Sequence, residues 1–332
     1  MPAVALAPTL PLEACEILPG LSDLIAEELA PKVIDIDLKG LYPDTFLRKL
    51  GALGGLGGLT PASHGGSGIG LKHAIQIIEE ASKHCVSTGF LLWAQYALQW
   101  YVLNGTNPAL AADMLPKMAR GEVLGGTAQS NTMKSCVGIE ETRLKAQRVE
   151  GGYRVNGVLP WVSNIGPEHH FHMGASLSDA PGLVIGLLHG STRGLTLAQN
   201  AHFIGMEGTN TFACQFRDVF LPDAQVVCHP HEFDTFRDRT KSAFILLQMG
   251  MGLGLQVVAR PTGVTAKLSA GTAGHGGAHG TQMWFDPASG SIQIMLIQRA
   301  GLPNGDASPM RQAFHDAAAK VLQDAASLPL EN

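Results

Sequence analysis

Apolar positions in the first third of the chain recur at helical spacing. Leu21, Leu24, Ile25 and Leu29 mark one face before Pro31, and PDTFLRKLGALG predicts a second helix just after Tyr42. From Lys72 to His84, Ile75, Ile78 and Ala81 share a face, with Glu79 and Glu80 opposite. Residues 86–103 are apolar nearly all round, the pattern of a helix central to a bundle. A short helix follows over Ala109–Ala119, interrupted near Pro116. The stretch LGGLGGLTPASHGGSGIG holds eight glycines in eighteen residues and reads as a loop around tightly packed helices.

After Glu122 the period falls from 3.6 to two. In RLKAQRVEGGYRVNGVLPWVSN, Leu144 and Ala146 alternate with polar residues. Tyr153 and Val155 do the same beyond Gly151–Gly152, which predicts a hairpin. GLVIGLLHG reads as a buried strand, and Phe212, Cys214 and Phe216 line one face of another. Helix returns at Arg239, where SAFILLQMGMGLGLQVVA predicts a continuous helix until Pro261. A glycine-rich stretch and a segment without clear pattern lead to a last helix, MRQAFHDAAAKVLQDAA, with Phe314, Ala318 and Val321 on one face. The architecture expected is α+β and multidomain: a helical N-terminal domain over 1–122, a β domain over 123–237 and a helical C-terminal domain over 238–332.

Composition narrows the function classes. The 332 residues are 45% hydrophobic and only 15% charged, against a usual charged share of about 25%. A chain of this kind buries a sizeable core, and its low charge suggests surface covered by a partner chain. A net charge of −5 with four Trp and four Tyr argues against nucleic-acid binding. The opening MPAVALAPTLPLEACEI lacks a basic leader, and the longest apolar runs are broken by Gln or fall below about 18 residues, so no membrane span is expected. Five dispersed cysteines without a CxxC read as free buried thiols in a reducing, cytoplasmic setting.

Several candidate chemistries are weak. The glycine-rich loop at 51–70 has no strand feeding it, so helix packing outweighs a dinucleotide site, and GxxxxGK[ST] is absent. Thirteen histidines include His169, His170 and His172, then His229 and His231, then His275 and His279. The first cluster has no adjacent Cys, the second flanks a Pro, the third sits in a glycine-rich loop and no HExxH occurs, so exposed or locally hydrogen-bonded histidines are a plainer reading than a metal site. No GxSxG marks a hydrolase elbow. The segment GVLPWVSNIG is the most unusual. Trp161 followed by Ser163 at a strand end can lay a flat face and a hydroxyl against a planar heterocycle. Gln129, Ser130, Asn131 and Thr132 are polar enough to serve its edge. Taken alone, a core Trp beside a turn is the plainer reading.

The combination resembles the acyl-CoA dehydrogenase superfamily of flavoproteins. PASHGGSGIG, EEASKHCVSTGFLL, GTNPALAADMLPKMARGE, GGYRVNGVLPWVSNIG and IGMEGTNTFACQFRDVFLPDAQVV are similar to that family's markers, in its order, over about residues 40–230. The resemblance implies an N-terminal helical domain, a middle antiparallel β-barrel and a C-terminal helical bundle, assembled as a homodimer or homotetramer. It implies FAD as cofactor, with Trp161, Val162 and Ser163 lining the flavin and the Ser163 hydroxyl toward N5. The family's second flavin-contacting tract falls on Gln129, Ser130 and Asn131, although its Glu-Pro and GSD elements are missing. Only about 95 residues follow Arg237, so the bundle is expected to be shortened. No counterpart of the family's catalytic Glu is found, and the catalytic residue stays unassigned. The implied activity is removal of an α-proton and a β-hydride from an acyl thioester such as an acyl-CoA, or a related substrate, with an electron-acceptor protein as partner. The rival readings are a monooxygenase fed by a flavin reductase, with His315 as its acid–base candidate, and a non-catalytic scaffold or partner subunit.

Overall fold

The computed structural model describes residues 18–326 other than 137–139, 179–180, 200–202, 204, 241–255, 259–260, 277–280, 287 and 298–307. Cys15 and most of the helix expected from Arg239 to Pro261 therefore lie outside the described residues.

The N-terminal region is helical, as its periodicity predicts. A short α1 (Leu21–Leu24) leads through two irregular turns into α2 (Val33–Lys39), and α3 (Asp44–Ala52) follows. The glycine-rich loop then forms two single 3-10 turns before α4 (Leu71–His84), α5 (Val86–Leu103) and α6 (Pro108–Ala119). Close packing explains the glycines: a Cβ on Gly66 would stand 1.9 Å from the Thr60 carbonyl oxygen. α5 is central, with Leu91, Leu92, Tyr96 and Leu98 fully buried. The start of α6 is set by Asn107, whose side chain accepts from the Leu110 amide at 3.1 Å, and by Pro108 at the first position. Pro116 does not interrupt α6. Leu115 and Met118, both fully buried, carry the helix past it.

The β region comprises β1 (Gly125–Ala128), β2 (Leu144–Val149), β3 (Gly152–Val162), β4 (His170–Leu177), β5 (Leu183–His189), β6 (Leu195–Ala198), β7 (Phe212–Pro222) and β8 (Val226–Cys228), with α7 (Ser130–Cys136) between β1 and β2. The β2–β3 hairpin turns at Gly151, whose φ is 74°. The strands form one sheet in the order β6-β7-β3-β2-β4-β5-β8, with β1 attached to β4. Two expectations differ here. The hydrogen-bonded path is open among the described residues, and the sheet is mixed, because β4 runs parallel to both β1 and β2. The cause is topological: β3 is the return strand of the hairpin, so the chain enters β4 in the direction of β2. Phe171, Val155, Phe216 and Leu221 fill the core of this sheet, separate from the helical core around Leu50, Ile77 and Leu91.

A helical stretch over 233–240 follows, and the C-terminal region then departs from the expected bundle. Its described residues form a four-stranded antiparallel sheet of β9 (Gln256–Val257), β10 (Ala273–Gly276), β11 (Gln282–Asp286) and β12 (Ser291–Met295), followed by α8 (Pro309–Ala326). A helix continuous to Pro261 is excluded by the pairing of Val257 with Ala273. QMWFD and SIQIM do alternate with period two, but the inward positions include Gln282, Asp286 and Gln293, which hides the strand from a hydrophobic count. Those polar groups are satisfied. Gln282 Oε1 accepts from Trp284 Nε1 at 2.9 Å and from Arg311 Nε at 2.8 Å, and Asp286 accepts from the Ser269 hydroxyl at 2.9 Å. Among the described residues no helix is long and apolar enough to cross a membrane.

Candidate functional site

Strand β3 carries the Trp161–Ser163 segment. Its partner β7 pairs at Leu159 with Cys214 and at Val162 with Phe212, so Pro160 and Trp161 stand opposite the single residue Ala213. This is a β-bulge, and Pro160, which has no N–H to give to a ladder, sits inside it. The extra residue lets Leu159 and Val162 both point into the core while Trp161 points out, 57% exposed. Phe203 stands beside the indole, with ring centroids 6.1 Å apart. The pair forms an open aromatic surface at a strand end.

Ser163 is half-buried and its hydroxyl is held. Its Oγ lies 2.7 Å from Thr211 Oγ1, which lies 2.9 Å from Thr209 Oγ1, which donates to the Met206 carbonyl at 2.9 Å. Each hydroxyl has one proton, so the sense of the chain follows from its end. Thr209 gives its proton to the carbonyl, Thr211 gives to Thr209, and Ser163 gives to Thr211. The outward lone pair of Ser163 is then an acceptor. Backbone strain gathers around this relay. Of four non-glycine residues with positive φ among the described residues, three are Asn164 (57°), Met206 (66°) and Asn210 (45°).

Asn164 anchors the segment. It is fully buried, its amide donates to the Gly125 carbonyl at 2.6 Å and to the Leu91 carbonyl at 3.3 Å, and its Oδ1 accepts from the Tyr42 hydroxyl at 2.7 Å. Its backbone N–H donates to the Thr209 carbonyl at 2.9 Å. One side chain thus ties the end of β3 to α5, β1 and the N-terminal helices. Burial raises the Tyr42 phenol above its usual range, which keeps the hydroxyl a donor. Gly126 of β1 completes the contact, since a Cβ there would lie 2.1 Å from the Ser163 carbonyl oxygen. Asn164 and Gly126 were not among the candidates read from the sequence. The signal for Asn164 was its place after Trp-Val-Ser at the end of a strand.

The remaining candidates divide. Val162 is 1% exposed and belongs to the sheet core, so only its backbone faces the segment. Gln129 is buried with its Nε2 unpartnered, a donor awaiting an acceptor. Ser130 is exposed at the start of α7. The Asn131 side chain is engaged elsewhere: it donates to Glu140 Oε1 at 3.1 Å and to the Glu141 carbonyl at 2.9 Å, and accepts from the Arg143 amide at 2.8 Å. It therefore fastens the 140–143 loop. Beside α7 a recess of about 680 Å³ opens, lined by Cys136, Glu140, Lys145, Leu183 and Arg237. Cys136 is exposed, unlike the buried thiols expected; burial pushes Cys214 and Cys228 up to about 12.

The histidines are mostly structural. Burial pushes His169 and His170 down to about 4 and His172 to about 3. His172 packs at a tilt against Tyr101 with centroids 4.2 Å apart, and His169 lies against Tyr42 at 4.8 Å. His229 meets the Tyr153 hydroxyl at 3.0 Å. His315 is fully buried against the C-terminal sheet, its Nδ1 3.0 Å from Gln293 Oε1, so it is not a solvent-accessible acid–base group. Among the described residues no three His, Cys, Asp or Glu side chains converge as metal ligands.

Comparison with known proteins finds a family match over part of the chain. Residues 13–122 match the family described as "Acyl-CoA dehydrogenase, N-terminal domain". Mitochondrial isovaleryl-CoA dehydrogenase of Pongo abelii is 28% identical over 218 residues, covering 63% of this chain and 51% of the relative. Butyryl-CoA dehydrogenase from Megasphaera elsdenii superposes with a TM-score of 0.60 at 22% identity, over 70% of this chain and 64% of that one. A chain from a structure of the electron transferring flavoprotein of Acidaminococcus fermentans gives 0.62 at 19%, over 74% and 66%. The chain spans about half the length of the curated relatives it matches. The structural likenesses establish the shared fold, helical domain followed by sheet, and the matches together bear out the superfamily resemblance.

Proposed function

We propose that this chain, a relative of the acyl-CoA dehydrogenases, is a flavin-dependent oxidoreductase whose flavin-facing wall is the end of β3. The observation that carries the reading is the pairing of an outward indole at Trp161 with an anchored hydroxyl at Ser163. Their chemistry fits a planar heterocycle: a flat apolar face, a hydroxyl oxygen that accepts a hydrogen bond, and the unpartnered Gln129 amide. FAD, when bound, supplies the hydride-accepting chemistry. Trp161 would cover one face of the ring and exclude water, and Ser163 would hold a ring-edge atom. Gln129 would donate to a carbonyl or phosphate oxygen. Val162 contributes its backbone only, and Asn131 supports the neighbouring loop.

The substrate class favoured is an acyl thioester such as an acyl-CoA, with an electron-acceptor protein as partner and a homodimer or homotetramer as the assembly. A curved, barrel-like closure of the sheet and a cytoplasmic setting belong to the same reading. The scaffold reading draws support from one observation: strands β9 to β12 lie where the family resemblance implies helices. The monooxygenase reading loses its acid–base candidate, because His315 is buried.

The test is release, identification and quantitation of flavin per purified chain. Near-stoichiometric FAD is expected. Stacking on an aromatic side chain is worth about 1–3 kcal/mol, so Trp161→Ala should weaken flavin retention roughly 5- to 150-fold. Ser163→Ala should have a smaller effect. Full flavin content in both variants would refute the site, and a flavin-free wild type would favour the scaffold. Anaerobic bleaching by an acyl-CoA, as opposed to bleaching only by a reductase, separates dehydrogenase from monooxygenase.

A further inference from the structure

The C-terminal sheet has its layers in an unusual order. Its inner face carries Gln282, Trp284, Asp286, Gln293 and Met295, all buried, and α8 covers it through Arg311 and His315. Its outer face carries Met283, Phe285, Ile292 and Ile294, with Leu296 two residues on, exposed by 45, 47, 63, 52 and 83%. The register makes this a continuous surface, since Met283 stands opposite Ile294 and Phe285 opposite Ile292. These are among the most apolar side chains in the unit, and they point away from its core.

Size and chemistry identify what fits there. At about 200 Å² for a fully exposed large side chain, the face offers roughly 600 Å² of apolar surface, at the upper end of what a monomer leaves open. Two such faces together would bury on the order of 1,200 Å², inside the range of specific interfaces. None of the five residues is charged, so the surface offers nothing to attract an acidic or basic partner. A flat ladder of Met, Phe, Ile and Leu is complementary to itself, as in sheet-on-sheet packing. The adjoining edge points the same way. Among the described residues β12 is the end strand of the sheet, and SIQIM contains neither a charged residue nor a Pro to discourage pairing.

We infer that the outer face of β11–β12 is a self-association surface, occupied by the same face of a second copy of this chain about a two-fold axis. The contact is isologous: Ile292 and Ile294 of one protomer pack on the same ladder of its partner. It leaves the Trp161–Ser163 segment outside the interface residues, and it stands independently of flavin binding.

Sedimentation velocity of the full-length protein, with and without Ile292→Lys plus Ile294→Lys, tests this. The wild type is expected to sediment as a multiple of the chain mass at micromolar concentration. The double variant should halve that mass, with far-UV circular dichroism and flavin content unchanged. Ile294→Thr keeps a strand-compatible side chain and should raise the dissociation constant by roughly tenfold, which serves if the lysines prevent folding. A spin label on Ile294→Cys should report a second label close by in the wild-type assembly. A wild type that sediments as a monomer would overturn the inference, whether the face is then covered by the chain itself or awaits a different protein. So would a variant pair with unaltered mass.

Discussion

Three histidines buried neutral in or beside β4 make the folded state vulnerable to mild acid. In the unfolded chain each titrates near 6.5, whereas burial holds His169 and His170 at about 4 and His172 at about 3. The unfolded state therefore binds protons that the folded state excludes. Stability is full above about pH 6.5 and is lost as pH falls toward those lower values. Each histidine contributes a slope approaching 1.4 kcal/mol per pH unit, so from pH 7 to 5 each costs about 2 kcal/mol. His169 and His172 together thus remove about 4 kcal/mol, and His170, lowered to the same extent as His169, adds a similar share. The hydrogen-bonded carboxylates Glu140, Glu232 and Asp223 are held below their usual range and titrate under this window. His315 is also lowered, but equally in wild type and variant. The informative perturbation is His172→Phe, which keeps a ring against Tyr101 and removes two ring nitrogens that have no hydrogen-bond partner. At pH 7 its stability should match or exceed wild type. Urea unfolding followed by far-UV circular dichroism at pH 7, 6 and 5 should show proton uptake on unfolding smaller by about one in the variant. Equal pH slopes in the two proteins would refute the assignment of His172 as a neutral buried group.

Two further predictions concern the anchor of the candidate site. Asn164→Ala removes the partner of the Tyr42 hydroxyl and of two buried carbonyls at a positive-φ position, so a loss of about 3–5 kcal/mol is expected, read as a fall in urea midpoint. A variant within 1 kcal/mol of wild type would show that the hub is dispensable. Gly126→Ala forces a Cβ against the Ser163 carbonyl; it should shift Trp161 fluorescence and lower flavin retention, and unchanged values of both would count against the close approach.

The helices of the first 122 residues and the hairpin were legible because their apolar positions repeat with clean periods and their buried faces are nearly all apolar. α5, apolar on every side, could only be central. The C-terminal sheet was illegible for a physical reason. Its inward positions hold Gln282, Asp286 and Gln293, satisfied by Arg311, Ser269 and His315 from elsewhere in the chain, and its outward positions are apolar. A period-two strand whose polarity is inverted looks like no pattern at all. Within the candidate site, Trp161 and Ser163 were legible as a chemical pair, but Asn131 was not separable from Gln129. Both are polar residues in one tract, and only the fold shows that Asn131 grips the 140–143 loop. The parallel pairing of β4 with β1 and β2 follows from chain direction, which no local pattern carries.

The bulge at Pro160 has a consequence for how the site tolerates change. A strand assigns faces by parity, and one extra residue resets the count for everything downstream. Leu159 and Val162 differ by an odd number, yet both face inward; in plain alternation at the same length Trp161 would take the Leu159 side and its indole would be swallowed by the core. The outward aromatic is therefore encoded in a residue count as much as in any contact. Deleting Pro160 would remove the bulge and leave Leu159, Trp161 and Val162 in plain alternation with the indole still outward, and many substitutions at Pro160 or Val158 would likewise leave it facing the same way.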